Sequence, residues 1–388
     1  MRCVIAGGGP AGAMLALLLA RAGVEVTLLE KHADFLRDFR GDTIHPSTLQ
    51  VLDELGLAEE FHRIPHRKAY RLDLVTDTGT SRLADLRGLP GRYDYIAFVP
   101  QWDFLTLLTS QAAKYPSFRL LMNAEAYGLI RDGGTVRGLR YRDGDGEHEL
   151  RADLTVAADG RGSVLRAAAG LTPTEFGVPM DVVWFRLPRE DTDPGETFLR
   201  LSPGRLLVTI NRESYWQLGF VVAKGDAELL RAAGVEELRG QVGRLLPFLE
   251  ERVTQLRSFE DVSTLTVALN RLRRWYRPGF LCIGDAAHAM TPVFGVGINL
   301  AVQDAVATAN IILREGPSAV RKVQRRRMFP TRVTQFAQRV AQRQLIKPVL
   351  AGSPRMSRVP DLARMPVINR LARTFIGKGV RPEHVAMR

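Results

Sequence analysis

The sequence is poor in cysteine and has no long uncharged hydrophobic run. Cys3 and Cys282 are the two thiols in 388 residues, so disulfides cannot hold the fold together and a reducing cytoplasm is the expected location. The apolar segment from Ala13 to Ala20 ends at Arg21, well short of the roughly 20 residues that a helix needs to cross a bilayer. The residues before it are rich in glycine and not in basic side chains, unlike a secretory signal. These absences exclude an integral membrane protein and a disulfide-stapled secreted domain.

Acidic residues are scarce only at the C-terminal end of the chain. Residues 314–388 contain 18 Lys and Arg against 3 Asp and Glu, a charge of +15, and the other 313 residues carry 36 minus 39, or −3. A nucleic-acid-binding protein would usually spread its basic residues over the fold that recognises the polyanion. The slightly acidic body therefore argues against nucleic acid as a partner. Hydrophobic residues at 45% and charged residues at 25% are typical of a globular protein.

A glycine-rich motif follows the first apolar segment. A short strand runs into GGGPAG at residues 7–12, and an Ala/Leu-rich helix then leads to a second strand that ends at Glu30. In such a unit Gly7 permits the tight turn, Gly9 lets the backbone approach a pyrophosphate and Gly12 allows close helix–strand packing. The phosphates would lie at the helix N-terminus, and Glu30 can accept hydrogen bonds from a ribose. The unit predicts a dinucleotide site without distinguishing FAD from NAD.

Two later segments resolve that choice. Residues 154–160 (LTVAADG) predict a buried strand that ends in Asp-Gly, and residues 280–288 (FLCIGDAAH) predict a strand that runs into GDAAH before a long helix. With the N-terminal GxGxxG, these motifs resemble the group A flavoprotein monooxygenases, the family of para-hydroxybenzoate hydroxylase. All three occur in the family's order across roughly the first 315 residues. The resemblance implies an α/β protein with a Rossmann-like FAD-binding domain.

The resemblance also implies roles for individual residues. Asp285 of GDAAH would bind the ribityl hydroxyls, and it could also cap the following helix. Gly295 and Gly297 would bring a helix start to the flavin pyrimidine ring, where backbone N–H groups stabilise negative charge. No catalytic side chain is assigned beyond this flavin-adjacent loop, and no metal site is assigned. The cofactor contacts that the first motif and the resemblance imply are Gly7, Gly9, Ala11, Gly12, Glu30, Arg40, Gln101, Asp159, Asp285, Pro292, Gly295, Gly297 and Asn299.

The chain departs from the family at the flavin loop and beside Gln101. The run VFGVG at residues 293–297 lacks the family's glycine pair and Gln, which makes this loop more apolar. Asp103 stands where many members have Arg, so one expected cationic contact to cofactor or NADPH has no counterpart. A second GxGxxG is missing, as in a family whose nicotinamide binds transiently. Arg166, after the DG motif, is read either as part of the cofactor site or as a solvated charge.

The implied function is that of an FAD-dependent monooxygenase. NADPH or NADH would reduce the flavin, O2 would add at C4a, and the hydroperoxide would pass one oxygen to an aromatic or polyketide-like, hydrophobic small molecule. One alternative is an FAD-dependent oxidoreductase without oxygen transfer, of the geranylgeranyl-reductase type, which shares the three motifs. The other is a non-catalytic flavoprotein binder or a nucleic-acid-binding module that uses the basic tail.

Strand-like runs at residues 70–76, 181–187, 206–211 and 216–223 predict an inserted β-sheet. We assign residues 1–69, 98–170 and 273–315 to the FAD-binding domain, 70–97 and 171–272 to a substrate domain, and 316–388 to a basic helical C-terminal segment. Because strand residues alternate between faces, only half of the pocket candidates on strands can face the flavin. These aromatic and cationic candidates are Tyr93, Tyr95, Trp184, Phe185, Arg186, Tyr215 and Trp216.

The C-terminal segment carries apolar residues at helical spacing. One stripe contains Val333, Phe336, Val340 and Leu345, and a second contains Val367, Leu371 and Phe375. One interpretation is a helical cap that buries these stripes on the catalytic body and points its Arg residues outward. The other is peripheral contact with anionic lipid at the inner membrane face, where basic side chains favour binding.

Overall fold

The computed structural model describes residues 1–36, 43–353, 361 and 364–386. The first described elements are β1 (Arg2–Ala6), α1 (Pro10–Arg21), β2 (Glu25–Leu29), β3 (Thr43–Ile44), α2 (Pro46–Glu54), α3 (Ala58–Arg63), β4 (Arg67–Ala69), β5 (Arg71–Thr76), β6 (Gly79–Asp85) and β7 (Ile96–Phe98). They are followed by α4 (Gln101–Ala112), β8 (Phe118–Leu121), β9 (Glu125–Asp132), β10 (Thr135–Asp143), β11 (Gly146–Arg151), β12 (Leu154–Ala157), α5 (Val164–Ala168), β13 (Pro173–Glu175), β14 (Met180–Pro188), β15 (Phe198–Ser202), β16 (Arg205–Asn211) and β17 (Tyr215–Ala223).

The remaining elements lead from the inserted sheet back to the first domain and into the C-terminal segment. They are α6 (Asp226–Ala233), α7 (Val235–Leu245), β18 (Ser263–Leu265), β19 (Asn270–Leu272), β20 (Tyr276–Arg277), β21 (Phe280–Cys282), α8 (Gly297–Glu315), α9 (Val320–Ala341), α10 (Lys347–Leu350) and α11 (Pro366–Lys378). Short 3-10 turns lie at Gly284–Ala286 and Val293–Gly295. A π-helical turn, Gln342–Ile346, joins α9 to α10.

The first sheet brings the three sequence motifs together. Its strand order is β20-β21-β12-β1-β2-β8, and β1 pairs in parallel with both β12 and β2. β12 pairs in parallel with β21. Residues Cys3 to Ala6 are buried on both faces, as expected of a parallel sheet that helices cover on either side. The GxGxxG, DG and GD segments therefore leave neighbouring strands at the same edge of the sheet, where open α/β folds bind their ligands.

The second sheet has the strand order β18-β14-β17-β16-β15-β5-β6. Side chains alternate along β14: Val183 and Phe185 belong to a core with residues of α6 and α7, which we call the back face. Val182 and Trp184 point to the opposite, front face, where residues of α10 and α11 join the core. Phe185 and Trp216 are fully buried in the back-face core, so their assignment as pocket candidates is wrong. Trp184 lies on the front face.

The interpretation that the C-terminal segment buries both apolar stripes is correct only in part, because Leu345 and Phe375 pack against the front-face core while other members of the stripes are exposed. Phe336 is 66% exposed and Val340 is 43% exposed on α9, and Val367 and Leu371 of α11 are also exposed. Beyond its first turns, which bury Val320 and Val323, the buried face of α9 is mostly polar, with Arg327, Thr331, Thr334, Gln335 and Gln338.

The physical reason lies in the backbone beneath α9. Backbone carbonyls of Asn270 in β19 and of the segment from residue 289 to 293 face α9, and buried carbonyls need hydrogen-bond donors. Gln335 Nε2 donates to the carbonyl oxygens of Asn270 and Ala289 at 2.7 and 3.2 Å, and Gln338 Nε2 donates to those of Thr291 and Val293, both at 2.9 Å. The face of α9 that packs on the rest of the protein therefore carries the side-chain amides of Gln335 and Gln338, and the apolar stripe lies on the opposite side.

One apolar helix passes the length and hydropathy test for a membrane span within the described ranges. The stretch Val293–Glu315, which includes α8, has a hydropathy of 1.4, and 83% of it is buried inside the fold. It packs between α1 and α9. Its apolar composition is thus accounted for by a position in the core.

Candidate cofactor and active site

The ends of β1, β12 and β21 contact each other directly. The Ala158 amide donates to the Ala6 carbonyl at 2.8 Å, and the Ile283 amide donates to the Ala157 carbonyl at 3.0 Å. A Cβ on Gly7 would lie 2.3 Å from the Ala158 carbonyl oxygen, and one on Gly284 would lie 3.0 Å from the Ala11 Cβ. All three predicted motifs therefore meet in one place, at the N-terminus of α1.

The glycine turn before α1 has one crowded side and one open side. A Cβ on Gly12 would lie 2.0 Å from the Gly7 carbonyl oxygen, whereas no described atom lies within 4 Å of a Cβ placed on Gly9. The residue before α1 offers no side-chain cap to its first N–H groups, which remain available to an anion. Glu30 accepts from the Gly8 amide at 3.0 Å and so lies beside this turn. The arrangement fits the diphosphate and ribose of a dinucleotide.

The DG segment is hydrogen-bonded to the start of α5, the helix that follows it. Asp159 accepts from Ser163 Oγ at 2.5 Å and from the Leu165 amide at 3.2 Å. Burial raises the pKa of the Asp159 carboxyl, although these two hydrogen bonds lower it in part. Asp159 therefore shapes the turn into α5, and its contact with a cofactor stays a prediction.

Arg166 connects the DG and GD segments. It is buried, and it donates through Nη1 to the Ala286 carbonyl at 3.1 Å and through Nη2 to the Arg161 carbonyl at 2.7 Å. The interpretation of Arg166 as a solvated charge is wrong, because the two carbonyls replace water around its guanidinium. The signal that could have located it is its position seven residues after the motif aspartate.

Asp285 lies in the 3-10 turn that follows β21. Its Oδ2 accepts from Arg161 Nε at 3.0 Å, and about one third of each side chain remains exposed. The residue that precedes the turn is Ile283, so Asp285 is not the helix cap that the sequence also allowed. A partly exposed carboxylate at this edge can accept hydrogen bonds from ribityl hydroxyls.

The loop before α8 adopts an unusual backbone conformation. Phe294 and Gly295 both have positive φ, at 69° and 64°, and such a conformation is rare for an aromatic residue and clusters at functional sites. The Gly295 carbonyl accepts from Thr43 Oγ1 at 2.7 Å, which ties the loop to β3. Around Gly297, at the start of α8, a Cβ would meet no described atom within 4 Å. The loop thus presents backbone N–H groups at the start of a long helix.

Asn299, in the first turn of α8, joins three elements. Its Oδ1 accepts from the His45 amide at 3.0 Å and from Thr48 Oγ1 at 2.6 Å. His45 Nδ1 lies 2.7 Å from the Ile376 carbonyl of α11, and burial lowers the pKa of this imidazole to about 4. Asn299 Nδ2 is buried and has no hydrogen-bond partner in the described part of the chain. Asn299 also borders a cavity of about 30 Å³ beneath α11, so its amide could face this cavity and not the cofactor. Its assignment as a cofactor contact stays a prediction.

A polar cluster of Asp103, Arg212 and Gln217 lies between α4 and the second sheet, near the start of α4 at Gln101. Gln101 opens α4 and is partly buried. Burial raises the pKa of Asp103, and the positive charge of Arg212 lowers it in part. Arg212 Nε donates to Gln217 Oε1 at 3.1 Å. The only sequence signal for this cluster was the departure at Asp103.

Two predicted contacts remain without a structural account. Arg40 lies outside the described residues. Pro292 directly precedes the Val293–Gly295 turn, and its cofactor contact stays a prediction. Among the residues that the structure describes, no cluster of His, Cys, Asp or Glu could hold a metal ion.

An open glycine turn, a partly exposed acid and an uncapped helix start, all at one edge of a parallel sheet, define a dinucleotide-binding protein of the Rossmann type. The chain belongs to the FAD binding domain family, whose model matches residues 1–323.

The proteins similar to this chain include monooxygenases and a lipid reductase. 6-Methylpretetramide 4-monooxygenase of Streptomyces rimosus is 36% identical over 319 residues, which cover 81% of this chain and 75% of that protein. The crystal structure of PqsL, a probable FAD-dependent monooxygenase from Pseudomonas aeruginosa, covers 92% of this chain and 98% of its own with a TM-score of 0.77 at 22% identity. Digeranylgeranylglycerophospholipid reductase 1 of Methanopyrus kandleri is 26% identical over 308 residues, 77% of this chain and 76% of that protein. The chain is an FAD-dependent oxidoreductase of the monooxygenase class.

Proposed function

We propose that the chain uses NADPH or NADH to insert one oxygen atom of O2 into an aromatic or polyketide-like substrate. The close approach of Gly7 to Ala158 and of Gly284 to Ala11 joins the three motifs in one FAD site, and the 36% identity to 6-methylpretetramide 4-monooxygenase is the observation that carries oxygen transfer. The identity to 6-methylpretetramide 4-monooxygenase supports the substrate class. FAD, when bound, supplies the reaction with O2.

Within this proposal the protein binds and orients the cofactor. Gly9 and the start of α1 hold the diphosphate, and Glu30 accepts from the adenosine ribose. Asp285 accepts from the ribityl chain. The start of α8 after Gly295 stabilises negative charge on the flavin ring through fixed N–H donors and the helix dipole. Arg40, Gln101 and Asp159 complete the proposed set.

We propose that the substrate lies between the flavin and the front face of the second sheet. Trp184 faces Gly219 across the β14–β17 pair, and its Nε1 is buried without a partner among the residues described. A buried donor of this kind normally finds an acceptor, which a substrate carbonyl or phenol would provide. The proposed substrate domain is residues 70–97 and 171–272.

A flavin oxidoreductase without oxygen transfer is the competing function. The lipid reductase shares less sequence with this chain (26%) than 6-methylpretetramide 4-monooxygenase does (36%), which favours oxygen transfer. The two functions differ in whether oxygen from O2 enters the product.

Reconstitution with FAD and a coupled assay test the proposal. We expect purified protein to be yellow and 6-methylpretetramide, the first candidate substrate, to accelerate NADPH or NADH oxidation. Asp285→Asn should weaken FAD binding, whereas the control Asp145→Asn on an exposed turn should not. A colourless protein that FAD cannot reconstitute would contradict the proposal.

We further propose that α9 contacts an anionic membrane surface. Supporting observations are the exposed Phe329, Phe336 and Val340, and the lack of any Asp or Glu in this basic helix. Apolar side chains flanked by Arg are typical of helices that lie in the interface of anionic bilayers.

A further inference from the structure

Asp304 of α8 is a fully buried carboxylate on which three parts of the chain meet. Its Oδ2 accepts from the Gly284 amide at 3.1 Å and lies 2.6 Å from His288 Nε2. Its Oδ1 accepts from Arg327 Nε of α9 at 3.0 Å. The residue directly after Gly284 is Asp285, the proposed ribityl ligand, so the carboxylate holds the turn that presents this ligand.

Arg327 is itself held by the last described segment of the chain. Arg327 is 1% exposed and Glu383 is 4% exposed. Glu383 Oε1 accepts from Arg327 Nη1 at 3.4 Å and from Arg326 Nε at 2.8 Å, and the Glu383 amide donates to Gln303 Oε1. A charged side chain in the interior requires such partners. Glu383, Arg327 and Asp304 thus form a continuous chain of contacts from the C-terminal segment to the GD turn.

The same segment is also fastened to α2 by contacts that do not reach Asp304. His384 Nδ1 lies 2.6 Å from Glu54 Oε1, and the Val385 amide donates to Glu54 Oε2 at 2.8 Å. Glu54 therefore secures the backbone of this segment, whereas Glu383 alone continues into the buried chain of charges. Mutation of Glu54 therefore tests the attachment of the segment to α2, and mutation of Glu383 tests its contact with Arg327.

We infer that Arg327 and Glu383 are positioning residues for the cofactor, which act through Asp304 on the Gly284–Asp285 turn. The inference rests on the proposed role of Asp285 as an FAD ligand. Removal of the Glu383 charge leaves Arg327 buried with Asp304 as its remaining anionic partner, so the guanidinium shifts and Asp304 loses its fixed geometry. The turn then presents Asp285 less accurately, and FAD binds more weakly.

Titration of the full-length apoprotein with FAD, followed by quenching of flavin fluorescence, tests this inference. Glu383→Gln keeps the side-chain shape and should raise the Kd for FAD by about 10-fold, by analogy with second-sphere substitutions at metal sites. The matched control Glu54→Gln should lower the melting temperature without changing this Kd. A wild-type Kd in Glu383→Gln, or an equal rise in both variants, would overturn the inference.

Three further variants, two at Arg327 and one at Arg326, separate the positioning role from a folding defect. Arg327→Lys keeps a positive charge beside Asp304 and should bind FAD more tightly than Arg327→Met; equal affinities contradict the inference. Arg326 is more than half exposed, so Arg326→Gln removes a hydrogen-bond donor to Glu383 without opening the core. This variant should also raise the Kd for FAD. Wild-type protein that binds no FAD would refute the proposed function itself, whereas bound FAD with unaffected variants would overturn only the positioning role.

Discussion

Single glycines around the dinucleotide turn are required for different reasons. Gly9 leaves space for a ligand, whereas the missing side chain of Gly12 allows the backbone of Gly7 to approach. The sequence predicted both roles, because they follow from the spacing of GxGxxG on a strand–helix turn. It could not choose between the two readings of Arg166 and did not predict that Arg327 is buried, since the partners of a buried arginine are carbonyls and carboxylates supplied by distant segments.

Alanine substitutions at two helical glycines test the close approach. Gly12→Ala should lower the free energy of unfolding by at least the roughly 1–3 kcal/mol of an overpacked core site, because its Cβ would meet a backbone oxygen at 2.0 Å. Gly240 lies in α7, where the nearest atom is the flexible end of Arg244 at 3.6 Å. Gly240→Ala should therefore stabilise the protein by about 0.5–1 kcal/mol. Urea unfolding measures both, and equal stabilities of the two variants would contradict the account.

The buried His45 predicts a dependence of stability on pH. Its folded pKa is about 4 against 6.5 for a free histidine, so between these values the unfolded chain binds a proton that the folded chain does not. The stability that neutral His45 provides is complete above pH 6.5 and is lost as the pH falls toward 4, by an amount of order 3 kcal/mol. His45→Asn keeps a donor for the Ile376 carbonyl and should flatten the slope over this window. Urea unfolding from pH 4 to 7 checks it, and an unchanged slope counts against the assignment.

At the scale of elements, the sequence patterns predicted the bounds of the strands more accurately than they predicted which face of a helix is buried. β14, β16 and β17 lie within about a residue of their predicted bounds, because β-branched and aromatic runs ended by turn residues are a strong local signal. The helical period of α9 was also correct. The prediction of its buried face was wrong for Phe336 and Val340, because backbone carbonyls from distant segments need Gln335 and Gln338 as hydrogen-bond donors.

The exposed stripe of α9 predicts binding to anionic vesicles. Phe336→Ser should lower sedimentation with phosphatidylglycerol vesicles by about 10-fold, since burial of a Phe side chain contributes roughly 1.5–3 kcal/mol. Leu229 of α6 is 69% exposed beside Asp226 and Glu228, and Leu229→Ser is the matched control that should have no effect. Both variants should keep wild-type stability within about 0.5 kcal/mol. Wild-type protein that stays in the supernatant at low salt would exclude membrane contact.

At the scale of the whole molecule, strand order explains why motifs far apart in sequence form one site. The sequence predicted which segments belong to the site through their family order. It could not show that β1 lies directly beside β12 and β12 beside β21, because pairing between strands that are more than a hundred residues apart depends on the packed fold. Nor could it show that Ile346, Val349 and Ile376 of the C-terminal segment share a core with Trp184. That segment is therefore part of the catalytic body.

Isotope labelling of the product tests the assigned oxygen chemistry most directly. The protein is incubated with FAD, NADPH and the candidate aromatic polyketide under an atmosphere of ¹⁸O2, and the product is analysed by mass spectrometry. Our account predicts a product that carries one labelled oxygen atom, with NADPH consumed in step with its formation. A product formed without label, such as a reduced substrate, would contradict it and assign the chain to flavin chemistry without oxygen transfer.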